Sequence, residues 1–478
     1  MFGIVERRGY STYGILLFVA LAVSFLLRFY LIDSTVIGWH SWRQSDTAAI
    51  ARNFHQVSMN ILQPRADWGG GLPVEAEFQL FPYLIALLYR ILGESIVIAR
   101  LLPSVFMLAA AWGIFRLGGR WYNERVGVMA ASLYALLPLN LFYGRAVMPE
   151  AMMLCCIVYG LLYFDRWLET KKWSDAVLAY LSVSVAVLLK LPTLWIGLPL
   201  LVLIIARGGM GSVLRPAQVL FAVAVLLPVA AWYWHAHGIF LETGNTFGIW
   251  TGETNKWGEL SSLLSLKYYN DIFFKSIAER HLTYPVFLLM LYGLYRLLRE
   301  KRNHITLFWM LAVIVFFFVV RKGNQVHEYY QLPFTQPAVL IAAVGIDDLL
   351  TRVARAKLLR AVLIAAGCLV LALSGFRYAA LLQGERNTQY INDAQYLRSE
   401  LAGPSRIAII TDGNPVLLYV LGKHGWIVNC AAPDVPDAAH FIVVENATHE
   451  EHCASGILDV GGYVPQYVTP TITVFRKQ

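Results

Sequence analysis

The sequence predicts an α-helical polytopic membrane protein with a small α/β domain at its C-terminal end. Three observations lead there. Apolar residues make up 58% of the 478 residues and charged residues only 15%, with a mean hydropathy of +0.55; a soluble chain of this length carries far more charge. Apolar runs long enough to cross a bilayer recur from Tyr13 to Leu373. Beyond about Gln383 the character changes, and short apolar strings alternate with polar ones.

The candidate spans are apolar runs of about 13–22 residues. They are Tyr13–Ile32, Ile96–Leu117, Val126–Phe142, Ala151–Trp167, Asp175–Leu189, Leu191–Ala206 and Ala217–Trp232. Leu282–Leu298, Ile305–Val320, Leu332–Leu349 and Ala361–Leu373 complete the set. A further run, Phe78 to Gly93, is apolar but short and carries Pro82. No cleavable signal peptide is expected, because Ser11 to Ile32 lacks a small-residue cleavage site and is long enough to span.

Cations fix the expected orientation. With the N-terminus cytoplasmic and Phe78–Gly93 not crossing, the cytoplasmic hairpins carry five clusters, from Arg116/Arg120/Arg125 to Arg352/Arg355/Lys357/Arg360. The opposite short turns then carry only Arg145, Lys190 and the pair Arg321/Lys322. Letting Phe78–Gly93 cross would invert every later loop, against the positive-inside rule. The run therefore reads as re-entrant or interfacial over 78–93, leaving about eleven spans with the C-terminus outside. The net charge of +8 sits in these topology clusters, so no nucleic-acid partner is implied.

Residues 1–380 thus form the membrane domain, with a first outer loop over 33–79, and 381–478 the small outer domain. In that tail, Arg406–Thr411, His440–Glu445 and Thr471–Phe475 read as strands, and Asn392–Leu401 and Pro415–Leu421 as helices. A domain of about 90 residues is of ordinary size. The five cysteines are too few for a disulfide scaffold; Cys155, Cys156 and Cys368 read as packing residues, and Cys430 with Cys453 would be able to pair in an extracytoplasmic tail.

The predicted outer ends of the spans collect ionisable side chains from distant parts of the chain. The first loop supplies Asp46 and Glu77, the next turn Arg145 and Glu150, and Leu189-Lys190-Leu191-Pro192 the lysine. Arg321, Lys322, His327, Glu328, Tyr329 and Tyr330 come from one turn. Ionisable groups at membrane depth are expensive and mark functional paths. Each has a plainer reading: Asp46 as the N-cap of a helix Thr47–His55, Lys190 as a snorkelling lysine, the tyrosines as interfacial aromatics. Glu75 and Glu77, two apart, read as a solvated pair facing one way.

Taken together, Trp42-Arg-Gln-Ser-Asp46, Glu77-Phe-Gln-Leu-Phe-Pro-Tyr83, Tyr143-Gly-Arg145 through Pro149-Glu150, Lys190 and His327-Glu-Tyr-Tyr330 resemble the bacterial members of glycosyltransferase family 39. These are relatives of the dolichyl-phosphate-mannose protein mannosyltransferases and of the lipid A aminoarabinose transferase. The resemblance covers roughly residues 10 to 350. It implies the C-type glycosyltransferase fold, a polyprenyl-phosphate-sugar donor used on the outer (periplasmic) face of the bacterial inner membrane, and inversion at the anomeric carbon. Asp46 matches the family's first-loop catalytic aspartate, Glu77 and Glu150 its further acidic positions, and Lys190 a lysine at the carrier phosphate. Two departures leave sugar and acceptor open. Phe78 follows Glu77 where lipid A transferases have a lysine, and Thr47 follows Asp46 where eukaryotic protein mannosyltransferases have a second acid.

The chemistry agrees. An acceptor hydroxyl needs a positioned carboxylate to take its proton. The departing lipid phosphate needs fixed cations and donors, for which Lys190, Arg145, Arg321, Lys322, His327 and Tyr329 are candidates. No P-loop, dinucleotide fingerprint or Asp-x-Asp motif is present, and no cofactor is required. Glu77 with His281 or His235 offers mixed ligands to a divalent metal, though the spacing does not demand one. The acceptor is a protein, a lipid such as that of lipopolysaccharide, or a glycan. The competing class, a lipid-linked sugar transporter or flippase, is expected to show repeat symmetry and broken helices near the midplane, whereas these charges gather at helix ends.

Overall fold

The structure is a computed structural model, and it describes residues 10–248, 256–300, 304–352, 357–401, 403, 406–411, 413–428, 435–446 and 462–478. Cys430 and Cys453 lie outside these. The chain divides into two compact units. One gathers Met1–Tyr30, Leu101–Trp232 and Glu253–Ala380; the other gathers Leu31–Arg100, Tyr233–Gly252 and Leu381–Gln478. The first loop, assigned from the sequence to the membrane domain, groups with the tail.

The first unit is helical. Five helical segments among the described residues are long and apolar enough to cross a membrane: Ile96–Trp121, Glu150–Thr170, Leu191–Gly208, Pro216–Thr243 and Glu328–Arg352. Tyr13–Leu27, Trp173–Leu189 and Ile305–Val319 are apolar but shorter, as is Leu80–Leu92 of the second unit. Glu150–Thr170 and Trp173–Leu189 form an antiparallel hairpin whose turn is Lys171, in the left-handed conformation at φ 57°. Helices Tyr284–Glu300 and Thr335–Arg352 cross where Gly293 and Gly345 face each other. A Cβ on Gly293 would run into the Ile341 carbonyl, and one on Gly345 would meet the Leu289 carbonyl at 2.7 Å. Small residues are what allow backbones to come this close in a lipid-facing bundle.

One polar knot ties the helix ends of this unit. Asp165, fully buried, is bound by Arg120, by Arg207 through two nitrogens at 2.8 and 3.1 Å, and by the Trp121 indole at 3.1 Å. It lies fifteen residues along the helix from Glu150, about 22 Å.

The second unit contains a five-stranded mixed sheet of order β2-β1-β3-β5-β4. Its strands are β1 (Ile407–Ile410), β2 (Gly425–Val428), β3 (Phe441–Glu445), β4 (Tyr463–Val468) and β5 (Ile472–Lys477). β1 runs parallel to β2 and β3, and β5 antiparallel to β3 and β4. Every residue of β1 is buried, because both sheet faces are covered, which is why this strand reads as an unbroken apolar string. Ile407 and Ile409 pack with Leu397, Leu417 and Leu421 on one face, and Ala408 and Ile410 pack with Ile442 and Val444 on the other.

Also in this unit, the helix Ser41–Gln56 packs against Leu80–Leu92 and against Val416–Leu421. Leu80–Leu92 has 13 residues, a length of about 20 Å against a hydrocarbon core of about 30 Å. It buries Phe81, Ile85 and Tyr89 on one stripe while Leu87, Ile91 and Leu92 stay exposed.

Candidate active site

Asp46 stands in the second turn of the helix Ser41–Gln56 and is only 4% exposed. The expected N-cap role does not arise, because the helix begins at Ser41, headed by His40 in the left-handed conformation. The first turns are polar yet buried, and their side chains are satisfied locally. Gln44 donates to the Trp39 carbonyl at 2.8 Å, Ser45 to Trp42 at 2.9 Å and Thr47 to Arg43 at 2.9 Å.

The partner of Asp46 comes from the glycine turn. Trp68 Nε1 donates to Asp46 Oδ1 at 2.9 Å. Gly69, Gly70 and Gly71 follow, all at positive φ. Such a run needs glycine, and a Cβ on Gly69 would collide with the Asn245 side chain. The turn thereby points the Trp68 ring inward, edge-on to Phe247 at 5.1 Å. Asp46 Oδ2 accepts no hydrogen bond among the described residues. Burial pushes the Asp46 carboxyl up from its ordinary 3.8 to about 7, while the Trp68 hydrogen bond and the Arg43 charge pull it down and the Asp67 charge adds to the rise. A carboxylate poised near neutrality is what a general base at physiological pH needs.

Glu77 reaches this cluster through Arg43. The guanidinium binds Glu77 Oε2 at 2.7 Å and lies over the Phe247 ring at 5.7 Å. Glu75 corrects the sequence reading: instead of facing water beside Glu77, it is fully buried, bound by the Thr246 hydroxyl, with His237 Nδ1 at 3.6 Å. A fourth carboxylate, Asp67, is held by Arg52 and by Asn53 at 3.1 Å. Trp68, Phe247, Thr246 and the Asp67–Arg52 pair carried no local signal.

The first unit holds its own cluster. Glu150 opens the helix Glu150–Thr170, and Lys190 ends the helix Trp173–Leu189, where the chain turns extended before Pro192. The hairpin brings Lys190 Nζ to 2.5 Å from Glu150 Oε1, with both side chains buried. Lys190 Nζ also lies over the Tyr329 and Tyr330 rings, 4.4 and 4.6 Å from their centroids. His327 stacks on Tyr329 at 5.1 Å. The Tyr143 hydroxyl donates to Glu328 at 3.3 Å, and Arg145 is fully buried two residues on. A snorkelling lysine would reach for the surface; this one is 6% exposed inside an acid–aromatic box.

Arg321 and Lys322 are placed differently from expectation. Arg321 spends its guanidinium on the Phe318, Gly258 and Glu259 carbonyls, at 2.7, 3.0 and 3.2 Å, and Lys322 is exposed. His281 is buried, and burial lowers it to about 4 with Glu328 opposing, so its imidazole is neutral. Two of the candidate metal ligands have protein partners. Glu77 is neutralised by Arg43 and His235 bonds the Leu62 carbonyl at 2.8 Å; no group of three or more His, Cys, Asp or Glu able to hold an ion occurs among the described residues.

Residues 79–234 match the family model for dolichyl-phosphate-mannose-protein mannosyltransferase. No curated protein matches the sequence. Among solved structures, ArnT from Cupriavidus metallidurans bound to undecaprenyl phosphate superposes with a TM-score of 0.68 at 15% identity, covering 98% of each chain. The chain has the C-type glycosyltransferase fold. The Archaeoglobus fulgidus oligosaccharyltransferase solved with Zn and sulfate shares this C-type fold at a TM-score of 0.59 and 14% identity, over 90% of this chain and 68% of that one. The mycobacterial arabinofuranosyltransferase AftD does so at 0.57 and 14%, over 99% of this chain and 40% of that one.

Proposed function

We propose that the chain is an inverting glycosyltransferase that moves a hexose or pentose from a polyprenyl-phosphate donor to an acceptor hydroxyl. The acceptor is a protein Ser or Thr, lipid A or another cell-surface glycan. The reading rests above all on Asp46, a buried carboxylate with one oxygen fixed by Trp68 and the other open. Asp46 takes the hydroxyl proton as the acceptor oxygen bonds to the anomeric carbon from the side opposite the phosphate. The bond from that carbon to the phosphate oxygen breaks, and the carrier leaves as a phosphate. Lys190 and Arg145 stabilise its growing charge, and Glu150 with the two tyrosines holds the ammonium in place. Glu77 fixes Arg43 beside Asp46. The likeness to a transferase solved with undecaprenyl phosphate supports the donor class.

The topology that goes with this has about eleven spans, the N-terminus cytoplasmic, and the residues 381–478 domain periplasmic at a bacterial inner membrane. Residues 78–93 lie at the interface. The direct test purifies wild type and Asp46→Asn in nanodiscs and follows sugar release from polyprenyl-phosphate donors, with mass spectrometry of glycoproteins and lipid A from a deletion strain naming the acceptor. Wild-type transfer rates in the Asp46→Asn protein would remove Asp46 from the mechanism.

A further inference from the structure

The second unit contains a cavity of about 340 Å³, within the range of small-molecule sites, about 300–1,000 Å³. Its polar lining is Ser41, Asn387, Tyr390, Asn414, Glu445 and Thr471. No lysine or arginine lines it among the described residues. Three hydroxyls, two amides and one carboxylate suit a neutral polyol, whose hydroxyls each donate and accept, and offer nothing to neutralise a phosphate.

The lining groups are held in place from behind. Asn387 Oδ1 caps the helix Thr388–Glu400 by accepting from Tyr390 N at 3.2 Å, which leaves its amide N–H₂ without a partner among the described residues. Asn414 Oδ1 accepts from Val416 N at 3.1 Å, and its amide reaches Ser41 Oγ at 3.5 Å. The Tyr390 hydroxyl donates to Glu445 Oε1 at 2.6 Å, so among the described residues Glu445 Oε2 remains to accept. An amide donor and a carboxylate acceptor, each fixed by its other half, give a polyol one group to accept from and one to donate to. Fixed partners of this kind reduce the ordering penalty of binding.

From this arrangement we infer that the cavity is a saccharide subsite for the acceptor. The assignment to the acceptor rather than the donor rests on the proposed transfer reaction. Ser41, in the cavity wall, is the first residue of the helix that carries Asp46, about 7.5 Å along its axis from the base. A glycan held here has its next sugar within reach of that helix, and the acceptor is then an oligosaccharide rather than a bare serine or threonine.

The test uses the full chain in nanodiscs and saturation-transfer NMR with neutral methyl glycosides of glucose, mannose, galactose and N-acetylglucosamine, and glucose 1-phosphate as the charged control. At about 10 mM, at least one neutral glycoside is expected to bind, with glucose 1-phosphate weaker. Glu445→Gln, and Asn387→Ser, which keeps a capping oxygen but removes the amide, each weaken binding about tenfold. Asp46→Asn leaves it unchanged. Silence from all four glycosides, equal binding in both cavity variants with retained melting temperature, or preference for glucose 1-phosphate overturns the assignment. Binding without Asp46-dependent transfer would fault the reaction and leave the saccharide site standing.

Discussion

The Trp68 indole donates to Asp46 at 2.9 Å and opposes the burial that lifts the same carboxyl to about 7. Transfer needs the ionised base, so the wild-type rate is expected to rise with pH up to about 7 and then level. Trp68→Phe removes a bond that favours the charged form. The inflection therefore moves above 7, activity at neutral pH drops, and it recovers in alkaline buffer. A pH–rate profile that shifts downward, or stays in place, contradicts this account of the base.

Asp46→Asn separates chemistry from folding. The Asp46 carboxyl has an ordinary value of 3.8 and rises to about 7 in the fold. Between those values the native state holds a proton that the unfolded chain has lost. The stabilising contribution is full below the lower value and is lost as pH rises through the higher one. An amide does not titrate, so at pH 8 the variant should melt above wild type while transfer falls by about 10²–10⁴. Thermal scans at pH 5 and pH 8 check the sign; a variant that melts lower at pH 8 refutes the burial argument.

How much of this was legible depends on what fixes each element. The apolar helices and β1 are written locally, because burial on all sides leaves no polar residue in the string. The flanking strands were invisible: β2 is four residues starting at a glycine, and β4 carries Pro465, as strands at sheet edges can. Asp46, Lys190 and Glu150 could be picked out by motif. Their environment could not, since Trp68 and Phe247 meet across 179 positions and the Glu75 partner, Thr246, lies 171 positions away. Glu75 looked solvated because a second acid, Glu77, stands two positions on in a loop; the Asn245–Phe247 segment and His237, distant in sequence, close over it.

Gly293 and Gly345 set the spacing of two helices. Gly345→Leu, or Gly293→Leu, forces the backbones apart and should destabilise the bundle by about 1–3 kcal/mol or more. The readout is folded yield and melting temperature in detergent. Gly345→Ala is the milder case, expected to fall in between. A leucine variant with wild-type melting would show that the helices separate freely.

The helix Leu80–Leu92 is too short to cross as a straight helix, and its exposed apolar edge carries Ile91 and Leu92. Under the proposed interfacial placement, Ile91→Cys in an otherwise cysteine-free chain is protected by lipid, and a cysteine at Glu94 reacts with an impermeant maleimide only from the periplasm. Labelling of position 94 from the cytoplasm means the segment crosses and reverses every later loop.

Lys190 and Glu150 form a buried pair 2.5 Å apart, and this makes the single variants ambiguous. Removing either partner strands a buried charge, at a penalty of about 3–5 kcal/mol, so Lys190→Met alone should lose activity partly through misfolding. The double change Lys190→Met with Glu150→Gln removes both charges and is expected to recover the melting temperature. If Lys190 serves the leaving phosphate, transfer by the double variant stays down by about 10²–10³, and the defect is greatest for donors with the poorest leaving groups. A double variant that regains both stability and turnover would reduce the pair to a structural tie between two helix ends. Retained stability with lost turnover assigns the ammonium to the reaction.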